Sequence, residues 1–393
     1  MKTDHILVTV SGPDQPGITA ELMSCLEESN DTLQDMGQAV THGLLSLSFL
    51  IKIKERKGGE AAIVKELLYK ATKLGLNLTF QEIELKEDLP NREDPEKFIL
   101  NCVATEKISA SFVKDISAVL ARFDINILRI DNVKPTRFKA LEITTAVPKN
   151  LEYEILKEHL LKISTHHQVD MAFLKDNVFR RSKRLIVFDM DSTLIQTEVI
   201  DEMAAAMGPQ VEKEVKEITE RAMNGEMNFD ESLKQRVSKL KGLKLEQMQE
   251  ILERLPLTVG AKEFIDKVKG LGYKVALISG GFSFFADALK QRLNLDYAFA
   301  NDLKIQGDTL TGQVEGTIIN ANQKALLLKV ISQQEKISLE QVVAIGDGAN
   351  DLPMLATAGL GIAYHAKDIV KKEAQNHMSH GPMTSILYFL GIN

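Results

Sequence analysis

The segment Asp189-Met-Asp-Ser-Thr-Leu194 follows directly on the apolar run 185–188 and sets two carboxylates two positions apart. At that spacing Asp189 can face a metal and a phosphorus atom while Asp191 approaches the leaving oxygen, a division of labour that suits a nucleophile and a general acid. An acidic turn that caps a helix through Asp or Thr uses the same residue types. A second apolar run ends in Ser279-Gly280-Gly281, where a hydroxyl and unhindered backbone N–H groups can hold phosphoryl oxygens. Lys324 opens an apolar helical stretch at 325–331; its ammonium can offset charge on a phosphoryl group in transfer, although a lysine taken alone is more often a surface residue. A third run leads into Gly346-Asp347-Gly-Ala-Asn350-Asp351, adding two carboxylates and an amide. Hard oxygen ligands in this number suit Mg²⁺.

The elements that must position these groups are buried parallel strands. The runs 185–188, 275–278 and 342–345 are continuously apolar, with helical stretches between them, which predicts a parallel sheet covered on both faces. Ligands of such sheets bind at the carboxyl ends of the strands, where three of the segments fall, while Lys324 opens a helix. About 60 residues of helical pattern separate the first two motifs, too many for a simple loop and placed to act as a cap at 196–258.

Upstream the pattern is different. Residues 5–88 read strand, helix, strand, strand, helix, strand, and 98–175 repeat that βαββαβ order. The charged stretch 86–97, with two prolines, predicts an exposed linker and makes each copy a small unit of its own. The expected domains are therefore 1–88, 96–176 and 182–393, in an α/β fold with a Rossmann-like parallel sheet and two ferredoxin-like units before it. Three domains suit a chain of 393 residues. Arg180, Arg181, Lys183 and Arg184 are expected in a solvated linker, and His377-Met-Ser-His380 in a flexible polar loop.

A net charge of −7 argues against nucleic acid as a partner. No apolar stretch approaches the ~20 residues that cross a bilayer, and the N-terminus lacks a signal-peptide pattern, so a cytoplasmic protein is expected. Two cysteines, Cys25 and Cys102, each lie inside an apolar segment and are expected as buried thiols.

Taken together, the four segments over 184–366 resemble the haloacid dehalogenase superfamily. The resemblance implies that Asp189 forms an aspartyl-phosphate, that Asp191 protonates the leaving alkoxide and then activates water, and that Mg²⁺ is held by Asp189, the backbone carbonyl of Asp191 and Asp347. Ser279, Gly280 and Lys324 would hold the phosphate, with Asp351 in support. The second aspartate separates the chain from members that dehalogenate and from the P-type pumps.

The stretches 196–201 and 223–237 resemble the cap of the phosphoserine phosphatase family. An α-ammonium calls for a carboxylate, offered by Glu198, and an α-carboxylate for a bidentate guanidinium, offered by Arg236. Met223 and Phe229 would wall the pocket, or serve with Met203, Met207 and Met227 as helix core. Gly281 and Asn350 complete the substrate contacts. The resemblance implies release of serine from phosphoserine as the last step of serine biosynthesis. A phosphotransferase acting on another alcohol, and an inactive amino-acid sensor, are the competing readings.

The tandem resembles the ACT domain, which pairs side by side in dimers and senses small ligands. Gly12-Pro-Asp14-Gln-Pro-Gly17-Ile-Thr19 could receive serine at a helix N-terminus, through Asp14 and Gly17, or be only a good turn and cap. The equivalent turn of the second copy, Thr105-Glu-Lys-Ile-Ser-Ala110, lacks glycine and proline. A homodimer is expected.

Overall fold

The computed structural model describes residues 5–29, 31–53, 59–83, 95–133, 139–180 and 182–392. Most of the charged stretch 86–97 and Arg181 lie outside them. The chain divides into two units, Met1–Asp94 and Pro95–Asn393.

In the first unit, strict alternation of apolar residues builds one buried sheet face. Strands β1 (His5–Pro13), β2 (Thr32–Thr41), β3 (Leu44–Lys52) and β4 (Asn77–Glu82) form an antiparallel sheet in the order β2-β3-β1-β4. Val8, Val10, Leu47 and Phe49 point inward to Leu22 of α1 (Ile18–Ser29) and Leu67 of α2 (Gly59–Lys73) in one core. Period-2 patterning puts every second side chain of β1 and β3 on that face. Strand β2 is exposed along its whole length. Gly12 has to be glycine, because a Cβ there would stand 2.7 Å from Leu76.

The second unit opens with the repeat: β5 (Glu96–Ala104), α3 (Ala110–Arg122), β6 (Asn126–Asn132), β7 (Ala140–Val147), α4 (Tyr153–His167) and β8 (Val169–Lys175). Next come β9 (Leu185–Phe188), the cap helices α5 (Val199–Ala206), α6 (Pro209–Met223), α7 (Phe229–Lys239) and α8 (Leu245–Arg254), then α9 (Ala261–Gly270), β10 (Lys274–Phe282) and α10 (Ser283–Leu293). The chain continues through β11 (Tyr297–Gln306), β12 (Thr309–Glu315), α11 (Ala321–Gln334), β13 (Val342–Gly346), α12 (Leu352–Thr357), β14 (Leu360–Tyr364), α13 (Asp368–Glu373) and β15 (Asn376–Met378).

Strand β9 lies between β10 and β13, parallel to both, and all four of its residues are buried. The carboxyl ends of these three strands therefore converge on one edge. The antiparallel hairpin β11–β12, closed by the two-residue turn Gly307-Asp308, is an addition to the parallel sheet that the apolar runs did not predict.

The sheet does not stop at β15. That strand pairs antiparallel with β8, His377 opposite Met171, so one sheet of eleven strands runs from β12 to β6. The second repeat is thus continuous with the catalytic sheet, where the sequence reading treats it as a small unit of its own. The cause is visible in β8, whose residues Val169–Phe173 are all buried without alternation, as in a strand covered on both faces.

Two local expectations are overturned by this junction. Residues 377–380 are no flexible loop: His377 is buried in β15, and the turn after it is tied down by Asp170. That wholly buried carboxylate accepts from the N–H groups of Ser379 at 2.6 Å, His380 at 3.1 Å and Gly381 at 2.8 Å. Nor is the basic stretch a solvated linker, since Arg180 and Lys183 are buried, with Arg180 held in a bidentate pair by Glu142 at 3.0 and 3.1 Å. Both cysteines are buried free thiols.

Asp170→Ala leaves the N–H groups of Ser379, His380 and buried Gly381 without that acceptor. It is expected to lower unfolding free energy by about 2–4 kcal/mol, read from urea denaturation of the full chain.

Candidate active site

Asp189 is the first residue past β9, and its N–H donates to Ile345 O of the neighbouring strand at 2.9 Å. Its carboxylate accepts from Lys324 Nζ at 2.7 Å, and the same ammonium donates to Asp351 at 2.7 Å. Lys324 is fully buried, in the first turns of α11, a helix capped by the side chain of Asn320. The sequence alternative of a surface lysine is therefore excluded. Burial opposes the Lys324 charge, but the two carboxylates outweigh it and hold its pKa above the ordinary lysine value. Asp189 is pushed well above the usual carboxylate range by burial and then by the charge of Asp351, against the pull of Lys324.

Carboxylate oxygens of Asp189, Asp347 and Asp351 lie within 4.8 Å of one another. Three carboxylates share one ammonium, and burial together with Asp351 lifts Asp347 to about 6. A divalent cation relieves that crowding, and an all-oxygen donor set at a strand edge is the kind Mg²⁺ takes. Asp351 is engaged by Lys324 and by the Gly348 N–H at 3.0 Å, and Asp347 accepts from Thr193 Oγ1 at 2.9 Å. The Asp191 carboxylate is not in this cluster; only its backbone carbonyl remains to serve as the expected ligand.

The turn after Asp189 decides where Asp191 points. Ser192 sits at φ +55°, a left-handed conformation uncommon for serine. Hydrogen bonds from Ile195 N to Met190 O at 3.0 Å and from Thr258 Oγ1 to Thr193 O at 2.7 Å hold the turn. Asp191 is thereby aimed at the first N–H of α5, accepting from Val199 N at 2.8 Å, with Ser279 Oγ at 3.4 Å from its other oxygen. Burial, reinforced by the charge of Glu198, pushes Asp191 up to about 8, so it keeps a proton at neutral pH.

Ser279 ends the buried part of β10 and accepts from Gly281 N at 2.8 Å. A Cβ at Gly281 would stand 2.6 Å from Asp191 Oδ2, and one at Gly280 would stand 2.9 Å from Phe229 Cζ. Both positions thus require glycine for close approach. The turn is anchored by Asn301, which sequence reasoning missed. Its buried side chain donates to Gly280 O at 2.8 Å and Gly281 O at 3.2 Å and accepts from Ile319 N at 2.7 Å. Its only sequence signal is a polar residue closing the run Tyr297-Ala-Phe-Ala.

The cap brings Glu198, Phe229 and Arg236 to this edge. Glu198, exposed at the start of α5, accepts from Ser192 Oγ at 2.8 Å. Phe229 lies over Gly280, so its ring does face the site. Arg236 is in the last turn of α7, and its Nε is buried without a hydrogen-bond partner. Burial depresses its pKa, and the charges of Glu198, Asp201 and Asp191 counteract that, which puts all four groups in one electrostatic neighbourhood. Met223 is not brought in: it is 66% exposed at the end of α6. Asn350 folds back over Gly348.

In the first unit, Asp14 is exposed and its N–H donates to Gly43 O at 2.8 Å. Gly17, at φ +96°, stands just ahead of α1. That conformation strains any residue with a side chain.

Comparison with known proteins agrees with this geometry. Residues 183–359 match the haloacid dehalogenase-like hydrolase family, and residues 4–81 match the ACT domain. The phosphoserine phosphatase of Mycobacterium tuberculosis is 35% identical over 98% of this chain and 93% of its own length. That of Archaeoglobus fulgidus is 51% identical over 211 residues, which are 54% of this chain and 61% of that protein. A solved structure, the unliganded probable phosphoserine phosphatase of Vibrio cholerae, superposes with a TM-score of 0.60 at 36% identity, covering 75% of this chain and 86% of that one.

Gly281→Ala forces the Asp191 carboxyl out of its position. Phosphomonoester turnover is expected to fall at least about a hundredfold with an unchanged far-UV spectrum and melting temperature.

Proposed function

Because the chain belongs to the phosphoserine phosphatase family of the haloacid dehalogenase-like hydrolases, we propose that it hydrolyses O-phospho-L-serine to L-serine and phosphate through an aspartyl-phosphate on Asp189. One observation carries the chemistry: Asp191, its carboxyl aimed at the Val199 N–H and the Ser279 hydroxyl, stands two residues from a carboxylate fixed by Lys324.

In the first half-reaction an Asp189 oxygen bonds to phosphorus as the bond from phosphorus to the serine oxygen breaks. Asp191 gives its proton to that oxygen. In the second, the Asp191 carboxylate takes a proton from water, the water oxygen bonds to phosphorus, and Asp189 leaves as a free carboxylate. Asp189, Asp347 and the Asp191 carbonyl would hold Mg²⁺, which when bound neutralises phosphoryl charge that otherwise repels an anionic nucleophile. The Ser279 hydroxyl, the Gly280 N–H and Lys324 would hold the phosphoryl oxygens, and Asp351 keeps Lys324 in place. Arg236, unpaired in the cap, is matched to the substrate carboxylate and Glu198 to its ammonium. Phe229, Gly281 and Asn350 would line the remaining wall.

The first unit, matched to the ACT domain, is proposed to sense serine through the turn at Asp14 and Gly17. Its exposed edge strand β2, with Leu33, Met36 and Val40 outward, supports a homodimer. Among the described residues no helix is long and apolar enough to cross a membrane.

Phosphate release from a panel of phosphomonoesters tests the reading; phosphoserine should rank first, and Asp189→Asn should abolish release. Asp191→Asn should cost about 10²–10⁴-fold with phosphoserine but far less with p-nitrophenyl phosphate, whose leaving group needs no proton. A low rank for phosphoserine rejects the substrate assignment. For the sensing role, millimolar L-serine should shift both the melting and the turnover of the full chain, and Gly17→Val should remove the shift.

A further inference from the structure

Where the second repeat meets the catalytic sheet, the structure leaves a cavity of about 310 Å³. Its volume is in the range of small-molecule sites, and it lies at the kind of junction where such sites occur. One wall is aromatic: Phe98 and Phe173 stack with centroids 4.8 Å apart, and Tyr153 lies nearly parallel to Phe173 at 6.3 Å. The Phe173 and Tyr153 side also borders a small recess that reaches His377.

Basic residues line the cavity as well. Arg180 and Lys175 line it, but their charges are taken by Glu142 and by Glu96 at 2.6 Å. Lys183 is different. It is 6% exposed, donates only to the main-chain oxygen of Glu340, and forms no ion pair among the described residues. Burial pulls its pKa down to about 8, against the smaller opposing pull of the Glu340 carboxylate, which forms no ion pair with it. Two of its three donors remain unused. Glu340, the one carboxylate on the cavity, stands exposed at the rim.

We propose that this cavity binds a small aromatic carboxylate, its ring against Phe98, Phe173 and Tyr153 and its carboxylate on the Lys183 ammonium. A flat apolar body fits the stacked wall, and an anion can take the Lys183 N–H donors that the main-chain oxygen of Glu340 does not use. Glu340, exposed to solvent, leaves room for an amino group but does not by itself hold one, so an aromatic amino acid is accommodated as well as a simple acid. The site is separate from the phosphoryl site: Lys183 precedes the amino end of β9, and Asp189 follows its carboxyl end.

Calorimetric titration of the full chain with phenylacetate, L-phenylalanine and phenethylamine tests this. The two carboxylates should bind saturably with dissociation constants on the order of a millimolar or tighter, and the amine should not bind. Lys183→Met should weaken both by at least about tenfold. Tyr153→Ala, at the partly exposed start of α4, should weaken them as well and serves as a second variant should the first unfold. Saturating L-serine with phosphate should leave the binding unchanged. No saturable binding, equal binding of phenethylamine, undiminished affinity in both variants, or displacement by serine and phosphate would each overturn the proposal.

Discussion

A fully buried ammonium, Lys324, stands between two buried carboxylates, and the candidate site is arranged around that fact. Without it Asp189 and Asp351 would be two buried carboxyl groups facing each other with no positive partner, a costly arrangement in an apolar interior. The ammonium in turn needs both. Asp351 is fixed by the Gly348 N–H and packs against Gly346, where a Cβ would stand 2.5 Å from its carboxyl carbon. The close approach of β9, β13 and α11 is therefore demanded by a charge balance as well as by apolar packing. With Asp347 added, the cluster has more negative charge than one lysine can match, which makes it a natural seat for a cation.

The same edge separates two carboxylates by environment. Asp189 faces Lys324 and the cluster; Asp191, two residues on, is turned by the left-handed Ser192 toward the start of α5 and toward Glu198. One is held in a charged network and the other is held as an acid. A single turn thus gives the two carboxylates different surroundings, and a Cβ at Gly281 would stand 2.6 Å from Asp191 Oδ2.

The second repeat shows how a βαββαβ unit can be built into a larger α/β sheet. Asp170 receives three main-chain N–H groups from the turn after β15, and Arg180 locks to Glu142. Such contacts replace a flexible tether with a continuous sheet, and they enclose the cavity beside Lys183. The first unit has its own core and is independent of that sheet.

The sequence by itself determined the local order: two βαββαβ patterns, continuous apolar runs for the parallel strands, and the carboxylates, glycines and lysine at strand and helix ends. These follow from periodicities of two and 3.6 and from residue chemistry, both of which are local. Tertiary structure alone decided which of those residues meet. That Lys324 is buried, that Asn301 anchors the glycine turn, and that Met223 stays in solvent depend on neighbours tens of residues away. The joining of β8 to β15 has the same origin: strand pairing is a long-range choice, made by edges that must satisfy their backbone groups, and no local pattern in Val169–Phe173 or Asn376–Met378 names the partner.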